Sequence, residues 1–382
     1  MSDRIVIFGI TGSIGTNTER LVRAYSDKFE IIGCSAGKNV TLLNEMITRH
    51  KSLKAVAVSD AADAEKVEFG GEVYSGEDGI MRLLDLAPDK IVMALPGKSG
   101  WKITIEAIKR GIPICLANKE SLVIAGYYLG QNVTSDRTKI IPIDSEHAAL
   151  MQLLEKCNRE TLAKVYITAS GGALRDMSAE EMENADAAAA LKHPVWSMGQ
   201  KVTVDSATML NKGLELFEAF WLFGVEPEKL DVLVHPSVNV HAALLFKDGS
   251  AISQNAAGNM LVPIAAALSY PEMLDVAEKF PEMNFEFTGK TMNFMPPDLV
   301  KYPLLKTAFE LLRKRDFSGM VAFAISDETA VEKFLKGKIK VKGIHRAVEA
   351  ATARFSGLKP PASVGQISDF IKEIEKFTEK VL

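Results

Sequence analysis

Apolar positions fall into short unbroken runs in the first part of the chain and into one-sided stripes towards its end. Ile5-Val6-Ile7-Phe8, Phe29 to Cys34, Ala55 to Val58, Lys90 to Ala94, Pro113 to Ala117 and Ile140 to Ile143 are brief runs rich in β-branched residues. Runs of this kind suit strands buried on both faces. Helix-like stretches such as Thr18–Tyr25 and Thr104–Ile108 lie between them. Strands alternating with helices predict an α/β fold with an N-terminal doubly wound parallel sheet. Further on, a helix from His147 to Lys156 leads to a strand over Lys164–Ala169, and Ser178 and Glu181 have capping-box spacing. Met209, Leu210, Leu214, Phe217 and Phe220 repeat with helical spacing behind Asp205 and Ser206, which predicts one helix to Trp221 with either residue as its cap. Ala243–Phe246, Lys247-Asp248-Gly249 and Ala251–Gln254 form a hairpin pattern. The stripes Leu304, Leu305, Ala308, Phe309, Leu312 and Ile367, Phe370, Ile371, Ile374, Phe377 predict a helical end to the chain. The expected organisation is a nucleotide-binding domain over 1–143, an α+β domain over 144–280, a linker over 281–300 and a C-terminal helical domain over 301–382.

Composition narrows the function classes. The 382 residues are 47% hydrophobic and 25% charged, as in an ordinary globular protein. A net charge of −4 gives no global attraction to nucleic acid or to an anionic membrane, so any phosphate binding is local. Cys34, Cys115 and Cys157 are far apart and lack CxxC spacing, which predicts reduced thiols and a cytoplasmic protein. No apolar run approaches the ~18 residues of a membrane span.

The candidate chemistry is local. Gly9-Ile10-Thr11-Gly12-Ser13-Ile14-Gly15 follows the first strand, and a glycine turn opening a helix suits a pyrophosphate. After the second strand, where an acid would bind ribose hydroxyls, stand Gly37, Lys38 and Asn39. A lysine there suits a 2′-phosphate, so the expected cofactor is NADP. Asn118-Lys119-Glu120-Ser121 falls just past a strand, at the carboxyl edge of the sheet. If a strand ends at Asp144-Ser145-Glu146-His147, its period of two points Asp144 and Glu146 to one side. Glu215 shares a helix face with Asn211, Lys212 and Glu218, which is either a site or a solvated Lys-Glu surface. Asp144, Glu146 and Glu215 together would make an all-oxygen cluster suited to Mg²⁺ or Mn²⁺ and unsuited to zinc. Ser170-Gly171-Gly172 is either an anion nest or a plain turn. His193-Pro194-Val195-Trp196-Ser197-Met198-Gly199 is either a lid or a buried anchor.

Taken together these stretches resemble the 1-deoxy-D-xylulose 5-phosphate reductoisomerase family. The motifs are Gly-Ile-Thr-Gly-Ser-Ile-Gly at 9–15, Ala-Gly-Lys-Asn-Val at 36–40, Leu-Ala-Asn-Lys-Glu-Ser-Leu-Val at 116–123, Asp-Ser-Glu-His at 144–147, Ser-Gly-Gly at 170–172, His-Pro-Val-Trp-Ser-Met-Gly at 193–199 and Val-Asp-Ser-Ala-Thr-Met-Leu-Asn-Lys-Gly-Leu-Glu at 204–215. The resemblance implies an oxidoreductase acting on a sugar phosphate with NADPH and Mg²⁺ or Mn²⁺, Co²⁺ being a third candidate, as a homodimer without nucleic-acid or membrane partners. It implies metal ligands at Asp144, Glu146 and Glu215, and catalytic roles for Lys119, Glu146, Glu215 and His241. Substrate contacts are implied at Ser145, Ser170, His193, Trp196, Ser206, Asn211 and Lys212, with 193–199 as a closing flap. Cofactor contacts are implied at Thr11, Gly12, Ser13, Ile14, Gly37, Lys38, Asn39, Asn118, Glu120 and Gly199. The chain departs from the family pattern at 94–100, 236–240 and 258–260.

Overall fold

The computed structural model describes residues 2–132, 140–193 and 198–382. It divides into two compact units, one formed by Met1–Asn118, Ser135–Ala148 and Met260–Met283, the other by Lys119–Thr134, Ala149–Asn259 and Asn284–Leu382. The units interleave along the sequence, so covalent neighbours such as Asn118 and Lys119 belong to different cores. Among the described residues no helix is long and apolar enough to cross a membrane.

The first unit is built on a seven-stranded sheet in the order β4-β3-β2-β1-β5-β6-β7. Its strands are β1 Asp3–Phe8, β2 Phe29–Ala36, β3 Ala55–Val58, β4 Glu72–Ser75, β5 Lys90–Met93, β6 Ile114–Leu116 and β7 Ile140–Pro142. All neighbouring pairs run parallel, with β1 between β2 and β5. Ile5, Val6, Ile7 and Phe8 are each 0% exposed, which accounts for the absence of polar alternation in that run. The order reverses direction at β1, and a doubly wound sheet opens a crevice beyond the strand ends at that place. β4 has no counterpart in the sequence expectation. Its burial is only partial, so Glu72-Val73-Tyr74-Ser75 lacks a strong apolar signature.

The second unit carries a four-stranded sheet in the order β11-β10-β8-β9, from β8 Leu162–Ala169, β9 Leu230–Val234, β10 Val240–Phe246 and β11 Ala251–Asn255. β10 and β11 are the expected hairpin, and Ser178 and Glu181 form the expected capping box. One expectation is corrected. Asp205 and Ser206 do not cap the long helix; they lie inside a separate helix, Gln200–Ala207, which ends before Met209 turns into the left-handed region at φ 58 and the helix Leu210–Phe223 begins. The apolar spacing carries across this break, so periodicity alone cannot reveal it. Leu210, Leu214 and Phe217 are fully buried, and a Cβ on Gly213 would come within 2.8 Å of Ala308 Cβ, so the missing side chain admits the helix Pro303–Lys314. The stretch expected as a linker is tied to the sheet, since Met295 bridges Val234 and the buried His235 ring stacks on Phe294.

The C-terminal helices contain a buried base. His345, in the helix Val341–Phe355, is 5% exposed and neither ring nitrogen has a hydrogen-bond partner. Burial disfavours the imidazolium and pushes its pKa down to about 4. The unfolded chain takes up this proton near pH 6.5, so the contribution to stability is complete above that pH and is lost as pH falls towards 4. The loss is worth roughly 3 kcal/mol over that window. His345→Leu should flatten the decline of Tm between pH 6.5 and 4.5, and a slope equal to wild type would place the proton uptake elsewhere.

Candidate functional site

The glycine turn lies at the carboxyl end of β1. The backbone amides of Gly9 and Ile10 donate to the Ser35 carbonyl at the end of β2, fixing the turn against the neighbouring strand. The helix Ser13–Ala24 begins within the motif, earlier than the expected start at Thr18. A Cβ on Gly15 would sit 2.2 Å from the Gly9 carbonyl oxygen, and one on Gly9 would sit 2.7 Å from the Ala94 carbonyl oxygen. These contacts give the spacing its physical reason. The helix has no side-chain cap and no acid in its first turn, so its N-terminal amides and positive dipole end suit an anion. Thr11, Gly12, Ser13 and Ile14 make up this turn and helix start. Gly37, Lys38 and Asn39 are exposed just past β2. Asn39 also caps the helix Val40–Ile47, its side chain accepting from the Leu42 amide at 3.1 Å. Asn118 is buried past β6 and braces the loop after β5, donating to the carbonyls of Leu95 and Gly97 at 2.7 Å.

At the end of β7 the expected strand alternation is corrected. The strand stops at Pro142, and Ser145, Glu146 and His147 form the first turn of the helix Ser145–Leu154, whose amide at Ala148 donates to the Asp144 carbonyl. Asp144 and Glu146 are therefore set by a helix start, about 100° apart per residue, and not by a pleat. Ser145 Oγ donates to Glu146 Oε2 at 2.5 Å, and His147 Nδ1 lies 3.8 Å from Asp144 Oδ2.

The second unit supplies a compact buried constellation. Lys119, at the start of the helix Lys119–Asn132, donates from Nζ to Asn211 Oδ1 at 2.9 Å and Glu215 Oε1 at 3.2 Å. Asn211 Nδ2 donates to Glu215 Oε1 and Lys212 Nζ to Glu215 Oε2, both at 2.5 Å. Glu215 is 1% exposed, so this face of the helix is buried and the solvated alternative is excluded. Close approach of the two helices rests on Gly126, where a Cβ would meet the Trp221 ring at 2.5 Å. Glu218, one turn on, is fully buried.

Ser170-Gly171-Gly172 follows β8 as a turn with φ 86 at Gly171 and 72 at Gly172. Ser170 Oγ accepts from the Gly172 amide and lies 3.1 Å from His193 Nε2. Burial lowers the His193 pKa below the usual histidine value, favouring the neutral ring. A Cβ on Gly172 would sit 2.3 Å from the Ser206 carbonyl, so the turn is brought directly against the helix carrying Ser206. Gly199 caps that helix. His241 is buried in β10, where its carbonyl accepts from Thr168 Oγ1 at 3.1 Å. Trp196 lies outside the described residues. Glu120 pairs with Lys201 at 3.2 Å, in a cluster with Asp205 and Asp327 that no sequence motif announces.

The chain matches the family model of 1-deoxy-D-xylulose 5-phosphate reductoisomerase over residues 5–126 and two models of its C-terminal domain over 140–223 and 256–377. The reductoisomerase of Thermodesulfovibrio yellowstonii is 39% identical over 350 residues, covering 91% of each chain. That of Chlorobium chlorochromatii is 40% identical over 367 residues, 93% of each. A crystal structure of DOX-P reductoisomerase in complex with NADPH, fosmidomycin and magnesium superposes with a TM-score of 0.90 at 32% identity, covering 99% of this chain and 98% of that one. The enzyme from Zymomonas mobilis in complex with NADPH gives 0.88 at 31% identity, over 100% and 99%. With relatives this similar over nearly their whole length, the chain belongs to the 1-deoxy-D-xylulose 5-phosphate reductoisomerase family.

Proposed function

We propose that the chain catalyses the NADPH- and divalent-metal-dependent isomerisation and reduction of 1-deoxy-D-xylulose 5-phosphate to 2-C-methyl-D-erythritol 4-phosphate, a step of non-mevalonate isoprenoid biosynthesis. Family membership over nearly the full chain length is the observation that carries it. Residues 1–143 bind NADPH, 144–280 bind metal and sugar phosphate with 193–199 as flap, 281–300 link and 301–382 support; this division is one of roles along the sequence, whereas the compact units are defined by packing.

The residues present fit both groups. The uncapped, acid-free helix start with its glycine cradle suits a pyrophosphate, and the carboxylates of Asp144, Glu146 and Glu215 are oxygen donors of the kind that Mg²⁺ or Mn²⁺ takes. The cation, when bound, supplies a Lewis acid for the substrate's ketone and adjacent hydroxyl, and NADPH supplies the hydride. The remaining work is the chain's own. Lys119 Nζ holds protons beside Glu215 and can donate them to a substrate oxygen, with Ser145 as a second hydroxyl contact. Ser170, Ser206, Asn211 and Lys212 hold the phosphate, and the Gly172 amide donates to Ser170 Oγ and so fixes that hydroxyl. His193 positions Ser170 as a neutral ring. His241 and Trp196 line and close the substrate site. A homodimer belongs to the same reading: β11 is an edge strand, and Ile252 on it is 40% exposed, so a second copy has an open edge to cover. So does a cytoplasmic location.

The test is turnover of the xylulose phosphate by purified protein with NADPH and Mg²⁺, following the nicotinamide absorbance and determining the product's carbon skeleton. A branched product confirms the reading. Reduction without rearrangement and without metal would instead mark a simple sugar-phosphate dehydrogenase. Lys38→Ala should raise KM for NADPH about tenfold, the lower end for a charge-assisted contact because the side chain is exposed, with little change for NADH. Equal effects on both would make Lys38 a surface residue only.

A further inference from the structure

The second unit holds another charged cluster. Lys201 Nζ is 2.6 Å from Asp205 Oδ2, 2.9 Å from Asp327 Oδ2 and 3.2 Å from Glu120 Oε1. The side chains of Asp205, Asp327 and Glu120 are 1%, 0% and 8% exposed, and that of Lys201 is 16% exposed. One formal positive charge thus faces three formal negative ones inside the protein. Among the described residues Asp205 Oδ1 and both Asp327 carboxylate oxygens have no hydrogen-bond partner, so Lys201 meets Asp327 as an ion pair. Burial opposes the charge on Lys201, but Asp205, Asp327 and Glu120 more than offset it, so the ammonium is held charged. Burial raises the pKa of both aspartates, with Lys201 counteracting. As a stabilising device this arrangement is poor, because buried ions are costly to desolvate and the negative charge is in excess.

Its geometry has a use. The three carboxylates come from three different helices: Glu120 from Lys119–Asn132, Asp205 from Gln200–Ala207 and Asp327 from Phe317–Leu335. Glu120 is the residue after Lys119, and Asp205 is the residue before Ser206. The Gly199 carbonyl accepts from both the amide and the hydroxyl of Thr203, which closes the first turn of the helix bearing Lys201. The helix Phe317–Leu335 belongs to the core of the second unit, with Phe323 packed on Phe217, so Asp327 is a fixed post.

We infer that Lys201 is a positioning residue that, by tying Glu120 and Asp205 to Asp327, sets where Lys119 and Ser206 stand in the substrate site. The inference rests on the reading given under Proposed function. This cluster links the backbone positions adjacent to two substrate contacts, and a displacement of a contact by about 1 Å is enough to cost a large factor in rate.

The experiment compares wild type with Asp327→Asn, Lys201→Arg and Lys201→Met, measuring Tm and the steady-state constants for the xylulose phosphate with NADPH and Mg²⁺ saturating. Asp327→Asn keeps the shape and relieves one surplus negative charge. It should leave Tm equal or higher while lowering kcat/KM for the sugar phosphate at least about tenfold, a pairing that a merely structural role does not produce. Lys201→Met should lower kcat/KM further, and Lys201→Arg should recover part of the loss. Kinetic constants within twofold of wild type for Asp327→Asn and for folded Lys201→Met would overturn the inference, and if Lys201→Met does not fold, Asp327→Asn decides alone. An inactive wild type would be seen before any variant is made; the proposed reaction would then fail, and the positioning role with it.

Discussion

Glu215→Gln should lower kcat at least about 100-fold, the scale set by loss of groups that only support metal ligands, while leaving the Kd for NADPH within twofold. The carboxylate is 1% exposed and accepts from Lys119, Lys212 and Asn211. The amide keeps the volume and one acceptor oxygen but removes the charge that faces two buried ammonium groups and, in our reading, a divalent cation. Removing one partner of a buried ion pair costs about 3–5 kcal/mol, so Tm should fall as well. That makes the NADPH measurement decisive: retained cofactor binding shows that the variant is folded and that the lost turnover is local. Raising Mg²⁺ well above the wild-type requirement should recover part of kcat if Glu215 contributes to holding the ion. Near-normal turnover at low metal would remove Glu215 from the ligand set.

The contrast between what the sequence announces and what it hides has a consistent physical origin. Ile5 to Phe8 and the glycines after it are legible because strand and turn are contiguous, whereas the helix start inside the glycine motif is not, since its apolar stripe begins later. The hairpin of β10 and β11 and the capping box at Ser178 are legible for the same reason. The break at Met209 is hidden, because a left-handed residue between two helices preserves the spacing of buried positions on either side. The helix start at Ser145 is different, because Asp is a favoured N-cap and Asp and Glu are poor strand residues; residue type points to a helix N-terminus, and only the two-residue spacing of the carboxylates imitates a pleat. What escapes altogether is contact between distant positions. Nothing near Lys201 in the sequence points to Asp327, and nothing near Gly126 points to Trp221. The proposed site residues come chiefly from the family motifs; the packing around Lys119, Asn211, Lys212 and Glu215 becomes visible only once the second unit is folded.

Gly172→Ala should abolish measurable saturation with the sugar phosphate, raising its KM by at least about 100-fold, and should lower Tm. Two independent causes act at the same atom. Gly172 has φ 72, in the left-handed region, where a side chain costs about 1 kcal/mol or more. The added Cβ would also lie 2.3 Å from the Ser206 carbonyl oxygen and 2.7 Å from Ala207 Cα. Both obstacles are backbone, so no rotamer change can clear them, and either the turn or the helix Gln200–Ala207 must shift. The shift separates the Ser170 hydroxyl, which the Gly172 amide holds, from Ser206, two of the groups proposed to hold the phosphate. Loss of even two charge-assisted hydrogen bonds at about 1.5 kcal/mol each reaches the stated factor. Gly171→Ala is the control, since it has φ 86 but its Cβ meets the flexible Arg175 side chain at 2.6 Å. It should share the loss of Tm from backbone strain with a smaller rise in KM. Equal rises for the two variants would mean that turn conformation alone governs phosphate binding and that the approach of Gly172 to Ser206 is incidental.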